Sequence, residues 1–154
     1  MIREEQKENR YKRLYAQLED LLKDRPGAIA AMATVAAVLH NKMEFYFWTG
    51  FYLLDGLELI VGPYQGSLAC IRLKKDTGVC WAGIRRAETI IVPDVHEFPG
   101  HIACDSRSNS EIVVPLKNKN GRIIGVLDVD SRDFGAFDET DARWLEKIVK
   151  LIEI

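Results

Sequence analysis

EIVVPLKNKNGRIIGVLDVD, residues 111–130, sets the architecture of this chain. Two apolar runs, Glu111–Leu116 and Arg122–Asp130, flank Asn120-Gly121, and both turn residues tolerate the positive φ of a tight hairpin. The stretch therefore predicts two antiparallel strands. Alternation along the second strand puts Leu127 and Val129 on one face and Asp128 and Asp130 on the other. Glu111, at the start of the first strand, can join those acids across the hairpin. The plain reading is a half-exposed edge with solvated carboxylates. The competing reading is a pocket floor, where close carboxylates repel and one keeps a proton it can donate near neutral pH.

Immediately upstream, a loop rich in Pro, Gly, Ser and Asn carries Cys104, with Asp94, His96, His101 and Asp105 in the same window. Such a loop belongs at the surface, where reactive groups meet ligands. A cysteine there is unusual, because unpaired cysteines mostly sit inert in cores. Cys104 is therefore a candidate functional thiol.

Moving outward, Tyr11, Leu14, Tyr15, Leu18, Leu21 and Leu22 recur at three- and four-residue spacing over residues 3–24 and predict an amphipathic helix. Asp24 and Pro26 read as cap and first-turn residues of a second, Ala-rich helix reaching about His40. Phe45–Leu54 is an aromatic strand, Asp55-Gly56 a hairpin turn, and Leu57–Val61 the returning strand. Gly62–Gly66 breaks the pattern, and Leu68–Leu73, with Cys70, resumes as a strand. Gly78–Arg86 reads as a short helix carrying Cys80, Thr89–Val92 as a strand, and Asp138–Ile154 as a closing helix. The order predicts an α+β fold, an antiparallel sheet with the long N- and C-terminal helices packed on one side. Residues 1–154 are expected to form a single domain.

Hydrophobic residues make up 47% of the chain and charged residues 29%, with net charge −2. Nothing in that balance suggests a nucleic-acid or anionic-membrane partner. The amino terminus, MIREEQKENRYKR, lacks the apolar core of a signal peptide, and the longest apolar run, Ala28–Leu39, is too short to span a bilayer. The chain reads as cytoplasmic. Three cysteines, an odd number, argue against a secreted disulfide framework. They also lack the short-spaced pairing of a zinc site, so no metal is expected. The bland reading of Cys70 and Cys80 is buried core, and an aromatic strand is usually core too. Trp48 and Tyr52 nevertheless share one face and can wall a small apolar pocket.

The pieces WTGFYLL, VGPYQGSLACIRL, GVCWAG, VPDVHEFPGHIACDSRSNSEIVVPL and GVLDVDS resemble the free methionine-(R)-sulfoxide reductases, a group built on the GAF fold. The resemblance runs from about Ala28 to Phe137 and takes in all three cysteines. Trp81 departs from it, standing after Cys80 where the family has Gly, which bears on access to that thiol. The resemblance implies that Cys104 is the nucleophile, Cys70 the principal resolving cysteine and Cys80 an auxiliary one. It implies that Trp48 and Tyr52 surround the sulfur-methyl end of the substrate, and that Glu111, Asp128 and Asp130 line the sulfoxide pocket. Free methionine sulfoxide is then the substrate, with no bound cofactor. Cys104 passes through sulfenic acid to a disulfide with Cys70, which thioredoxin or another dithiol reduces. His101 or loop amides would help Cys104 ionise. The family and the amphipathic terminal helices favour a homodimer. Two other readings stay open: a GAF module that senses a small molecule without chemistry, and a thiol redox sensor whose disulfide is the output.

Overall fold

The computed structural model describes residues 3–101 and 104–154. Ile102 and Ala103, inside the FPGHIAC motif, lie outside them. Helices α1 (Glu4–Leu22) and α2 (Ala28–Lys42) lead into strands β1 (Trp48–Asp55), β2 (Glu58–Gln65) and β3 (Arg72–Leu73). Helix α3 (Gly78–Arg86) precedes β4 (Ile90–Val92), β5 (Ser110–Lys117) and β6 (Ile123–Ser131), and α4 (Glu139–Val149) follows.

The strands pair antiparallel in the order β3-β2-β1-β6-β5-β4. Each half of the chain is a three-stranded meander, and β1 joins β6 at the centre. The sheet separates two cores. On one face Tyr11, Leu18, Val35, Leu39, Leu145 and Ile148 of the long helices pack with Phe51, Ile112, Leu127 and Val129. This is the predicted α+β arrangement, with the long helices on one side. On the other face α3 packs alone, its Val79, Cys80 and Trp81 clustering with Tyr52, Leu59, Val113 and Val126. A side chain at Gly83 would bring a Cβ to 2.8 Å from Val113, so the missing one lets α3 lie this close.

Three local expectations are corrected. Strand β2 does not end at Val61 but runs through Pro63 to Gln65. Gly50 pairs with Tyr64 and Tyr52 with Val61, so a bulge holds Gly62 and Pro63 opposite Phe51. A proline there gives up no ladder hydrogen bond. The strand expected over 68–73 shrinks to Arg72–Leu73, leaving Cys70 half-buried in irregular chain instead of in a buried strand. Helix α2 is capped at Gly27, because Arg25 and Gly27 both take positive φ, 52° and 99°, and Asp24 and Pro26 fall in that turn.

Helices α1 and α4 are pinned by a buried polar cluster. Lys7 Nζ lies 2.6 Å from Asp141 Oδ2 and donates to the Ala136 carbonyl at 3.1 Å. The Tyr11 hydroxyl donates to Asp141 Oδ1 at 2.5 Å and sits 2.6 Å from the Tyr46 hydroxyl. Among the described residues, no helix is long and apolar enough to cross a membrane.

Candidate active site

On the α3 face, the β5–β6 register places Glu111 opposite Asp130 and Val113 opposite Asp128. Alternation turns all three carboxyls the same way, as the sequence pattern suggested. Glu111 and Asp128 are buried and Asp130 half-buried. The Cys80 thiol comes down from the first turn of α3, and its sulfur, a Glu111 oxygen and an Asp128 oxygen all lie within 4.8 Å of one another.

Burial pushes the Glu111 carboxyl well above the usual range, and the Asp128 and Asp130 charges push it further. Asp130 rises likewise, through burial and then the charges of Asp128 and Asp105. Burial also raises Asp128, but the protons of Glu111 and Cys80 beside it work the other way. Burial and mutual repulsion thus push Glu111 and Asp130 toward the protonated form more strongly than Asp128, which is hydrogen-bonded by its neighbours. Burial, then the charges of these acids, keeps the Cys80 thiol protonated too. Cys80, Glu111 and Asp128 are the one cluster of metal-ligating groups this close among the described residues. Burial favours the protonated Cys80 and Glu111, and each would have to lose that proton before binding a cation.

The aromatic wall stands on β1. The Trp48 and Tyr52 rings stack with centroids 5.8 Å apart, and Tyr64 stacks on Trp48 at 5.3 Å. Gly50 lies between them on the same face, where a Cβ would come within 2.6 Å of the Trp48 ring. Trp48 Nε1 donates to the Ser67 carbonyl at 3.1 Å, and the Tyr52 hydroxyl to the Cys70 carbonyl at 2.9 Å. Both aromatics thus hold the irregular segment that carries Cys70. Burial, then the Asp128 charge, raises the Tyr52 hydroxyl above its ordinary range, so it remains a donor.

Cys104 and Cys70 meet over this cleft in a disulfide, with Cα atoms 5.6 Å apart. Cys104 is exposed, as its loop suggested. The turn after it is tied down by Arg107, which donates to both Asp105 oxygens at 3.0 and 2.7 Å. The Arg107 and Arg132 guanidiniums stand over the Phe47 ring at 4.8 and 4.5 Å. His101 lines the cleft, but burial, and then the charge of His96, lowers its pKa. That shift favours the neutral imidazole, the form that can accept a proton from a thiol. Asp94 and His96 bond each other at 2.7 Å and do not line the cleft. Trp81 does not line it either; its Nε1 donates to the Leu73 carbonyl, while the buried Cys80 does line the cleft.

All eight residues singled out from sequence come together except that Cys70 reaches the site through its bond to Cys104. Sequence reasoning missed Ser67, Thr77, Gly78 and Ser108, small loop and helix-start residues with no periodic signal. The cavity is small, about 60 Å³. Two buried polar atoms facing it, Ser67 Oγ and Asp128 Oδ1, have no hydrogen-bond partner among the described residues. Orphaned polar atoms are costly, and a polar ligand would satisfy them.

Residues 29–154 match the GAF domain family. GAF domain-containing protein A of Dictyostelium discoideum is 50% identical over 148 residues, covering 96% of this chain and 92% of that protein. The free methionine-R-sulfoxide reductase of Escherichia coli (strain K12) is 42% identical over 143 residues, 93% of this chain and 86% of the relative. The X-ray structure of free methionine-R-sulfoxide reductase from Neisseria meningitidis, in complex with its substrate, aligns with a TM-score of 0.88 at 45% identity, covering 93% of this chain and 86% of that chain. This chain belongs to the GAF-domain family, in the group that holds the free methionine-R-sulfoxide reductases.

Proposed function

We propose that this chain reduces free L-methionine-(R)-S-oxide to L-methionine, with Cys104 as nucleophile and Cys70 as resolving cysteine. The observation that carries this reading is the Cys70–Cys104 disulfide over a cleft floored by acids with raised pKa. A disulfide in that position is the product one catalytic cycle leaves behind. The named relatives support the substrate.

Cys104, as thiolate, attacks the sulfoxide sulfur, while Glu111 or Asp130 gives its proton to the oxygen as the S–O bond weakens. Trp48 and Tyr52 hold the methyl end and select one epimer by shape. The hydroxyl passes to the Cys104 sulfur and methionine leaves. The substrate sulfur gains two electrons and Cys104, now a sulfenic acid, loses two. The Cys70 thiol attacks that sulfur and expels water, forming the disulfide. A dithiol such as thioredoxin then reduces the bond by exchange. Electrons arrive through thiols alone, so no bound cofactor is called for. Cys80 is the auxiliary thiol, kept protonated by burial, so Cys70 resolves first.

Turnover of the separated R and S epimers with dithiothreitol tests the proposal. The R epimer is expected to be reduced and the S epimer to be left intact. Cys104→Ser is expected to be inactive, and Cys70→Ser to release about one methionine per site before stalling. A Cys104→Ser enzyme with wild-type turnover would sink the assignment. Binding without turnover would leave a sensor module instead.

A further inference from the structure

Leu68 and Ile71 bracket Ala69-Cys70, yet 84% and 65% of their surfaces are exposed. Leu68 also lines the cleft, and two large aliphatic side chains exposed on either side of a reactive cysteine offer a partner an apolar contact. They lie on the irregular segment beside β3, the two-residue strand at the edge of the sheet. The disulfide joins Cys70, which stands between them in the chain, to the exposed Cys104. Their border is basic. Arg72 is paired with Glu58 and Arg85 with Asp76, while exposed Lys74 and Lys75 have no ion-pair partner among the described residues.

We propose that Leu68 and Ile71, bordered by Lys74 and Lys75, form the docking surface for the protein dithiol that reduces the Cys70–Cys104 disulfide. The partner has an apolar groove beside its reactive thiol and acidic residues at the border of that groove. The inference rests on the reductase reading and adds the surface to it. Disulfide exchange needs the attacking thiolate to approach along the S–S axis. The partner's backbone must then lie against the residues flanking the bridge, which are the exposed aliphatics. The partner thiolate forms a mixed disulfide with one sulfur, and the other leaves as a thiolate and takes a proton. The partner's second thiol attacks the mixed disulfide, freeing the second cysteine. The partner loses two electrons and the bridge gains two. The lysines steer the encounter, so the rate falls with salt.

The test starts from the preformed disulfide and counts free thiols over time, with thioredoxin as the protein probe and dithiothreitol as the small one. Ile71→Glu is expected to slow reduction by thioredoxin on the order of ten-fold or more, by removing one buried aliphatic contact. Reduction by dithiothreitol is expected to be unchanged, which also shows that the variant is folded. Lys74→Glu with Lys75→Glu is expected to slow thioredoxin at low salt and flatten its salt dependence. Wild-type thioredoxin rates in both variants, equal slowing with both reductants, or a wild-type disulfide that dithiothreitol reduces and thioredoxin does not, would each overturn the proposal. No methionine sulfoxide enters this assay, so its failure is separate from failure of the reductase reading, which the epimer turnover decides.

Discussion

The Tyr52 hydroxyl donates a 2.9 Å hydrogen bond to the carbonyl oxygen of Cys70, tying the aromatic wall to the chain that carries the resolving cysteine. Tyr52→Phe keeps the ring and removes only that bond. The first step, from sulfoxide to sulfenic acid, is expected to keep a near-wild-type rate. Disulfide formation is expected to slow about 2- to 10-fold, the range of one net hydrogen bond. Single-turnover methionine release against steady-state turnover separates the two steps. Equal losses in both would give Tyr52 a role in substrate binding alone.

Burial and neighbouring acids raise the pKa of Glu111 and Asp130 and favour their protonated forms. Glu111→Gln and Asp130→Asn keep the shape but remove the proton. The true donor is expected to lose on the order of 10²-fold or more in rate. Activity that needs the protonated acid is full at low pH and falls as pH rises through the raised folded-state pKa, so the amide variant should lose that alkaline limb. Unchanged rates in both variants would leave these acids with no part in the chemistry.

The same shift has a cost in stability, with a definite sign. A carboxyl whose folded-state pKa is raised stabilises the fold below its unfolded pKa and loses that contribution as pH rises through the folded value. Glu111→Gln is therefore expected to gain stability over the parent as pH increases, while losing activity. Urea unfolding at a series of pH values measures this, and a difference independent of pH would contradict the raised pKa.

Trp48 is expected to carry epimer selectivity. Trp48→Ala removes the rigid face against which methyl and sulfur pack, a loss of about 1–3 kcal/mol, or roughly 5- to 150-fold in kcat/KM. The R and S epimers differ only in where oxygen and methyl point, so discrimination should weaken with it. A variant that lost activity but kept full epimer preference would move selectivity to the acids.

Lys7 and Asp141 test the support behind the sheet. Removing the charge in Lys7→Met leaves Asp141, which is fully buried, without its cation. The expected loss is about 3–5 kcal/mol near neutral pH. Burial already raises the Asp141 pKa, so the penalty should grow as pH rises and fade in acid, where the carboxyl is neutral in both states. Denaturant unfolding near neutral pH and in acid checks both size and sign.

Local periodicity was enough for much of this protein. The Asn120-Gly121 hairpin, the acidic face of β6, the shared face of Trp48 and Tyr52, and the bounds of α3 all follow from residues a few positions apart. The motifs around Cys104 carried the family. Tertiary structure alone decided what depends on distant neighbours. Pro63 continues β2 because β2 bulges at Gly62-Pro63 where it pairs with β1, and no reading of 62–66 contains that partner strand. Cys70 lies 34 residues from Cys104, and spacing gives no rule for pairing such thiols; the resemblance named the pair and the fold brings them together. The pKa of His101 falls and that of Glu111 rises because burial penalises charge, and burial sums contributions from the whole packed chain. A strand's alternation says which side chains share a face, but only the helix laid over that face decides whether water reaches them.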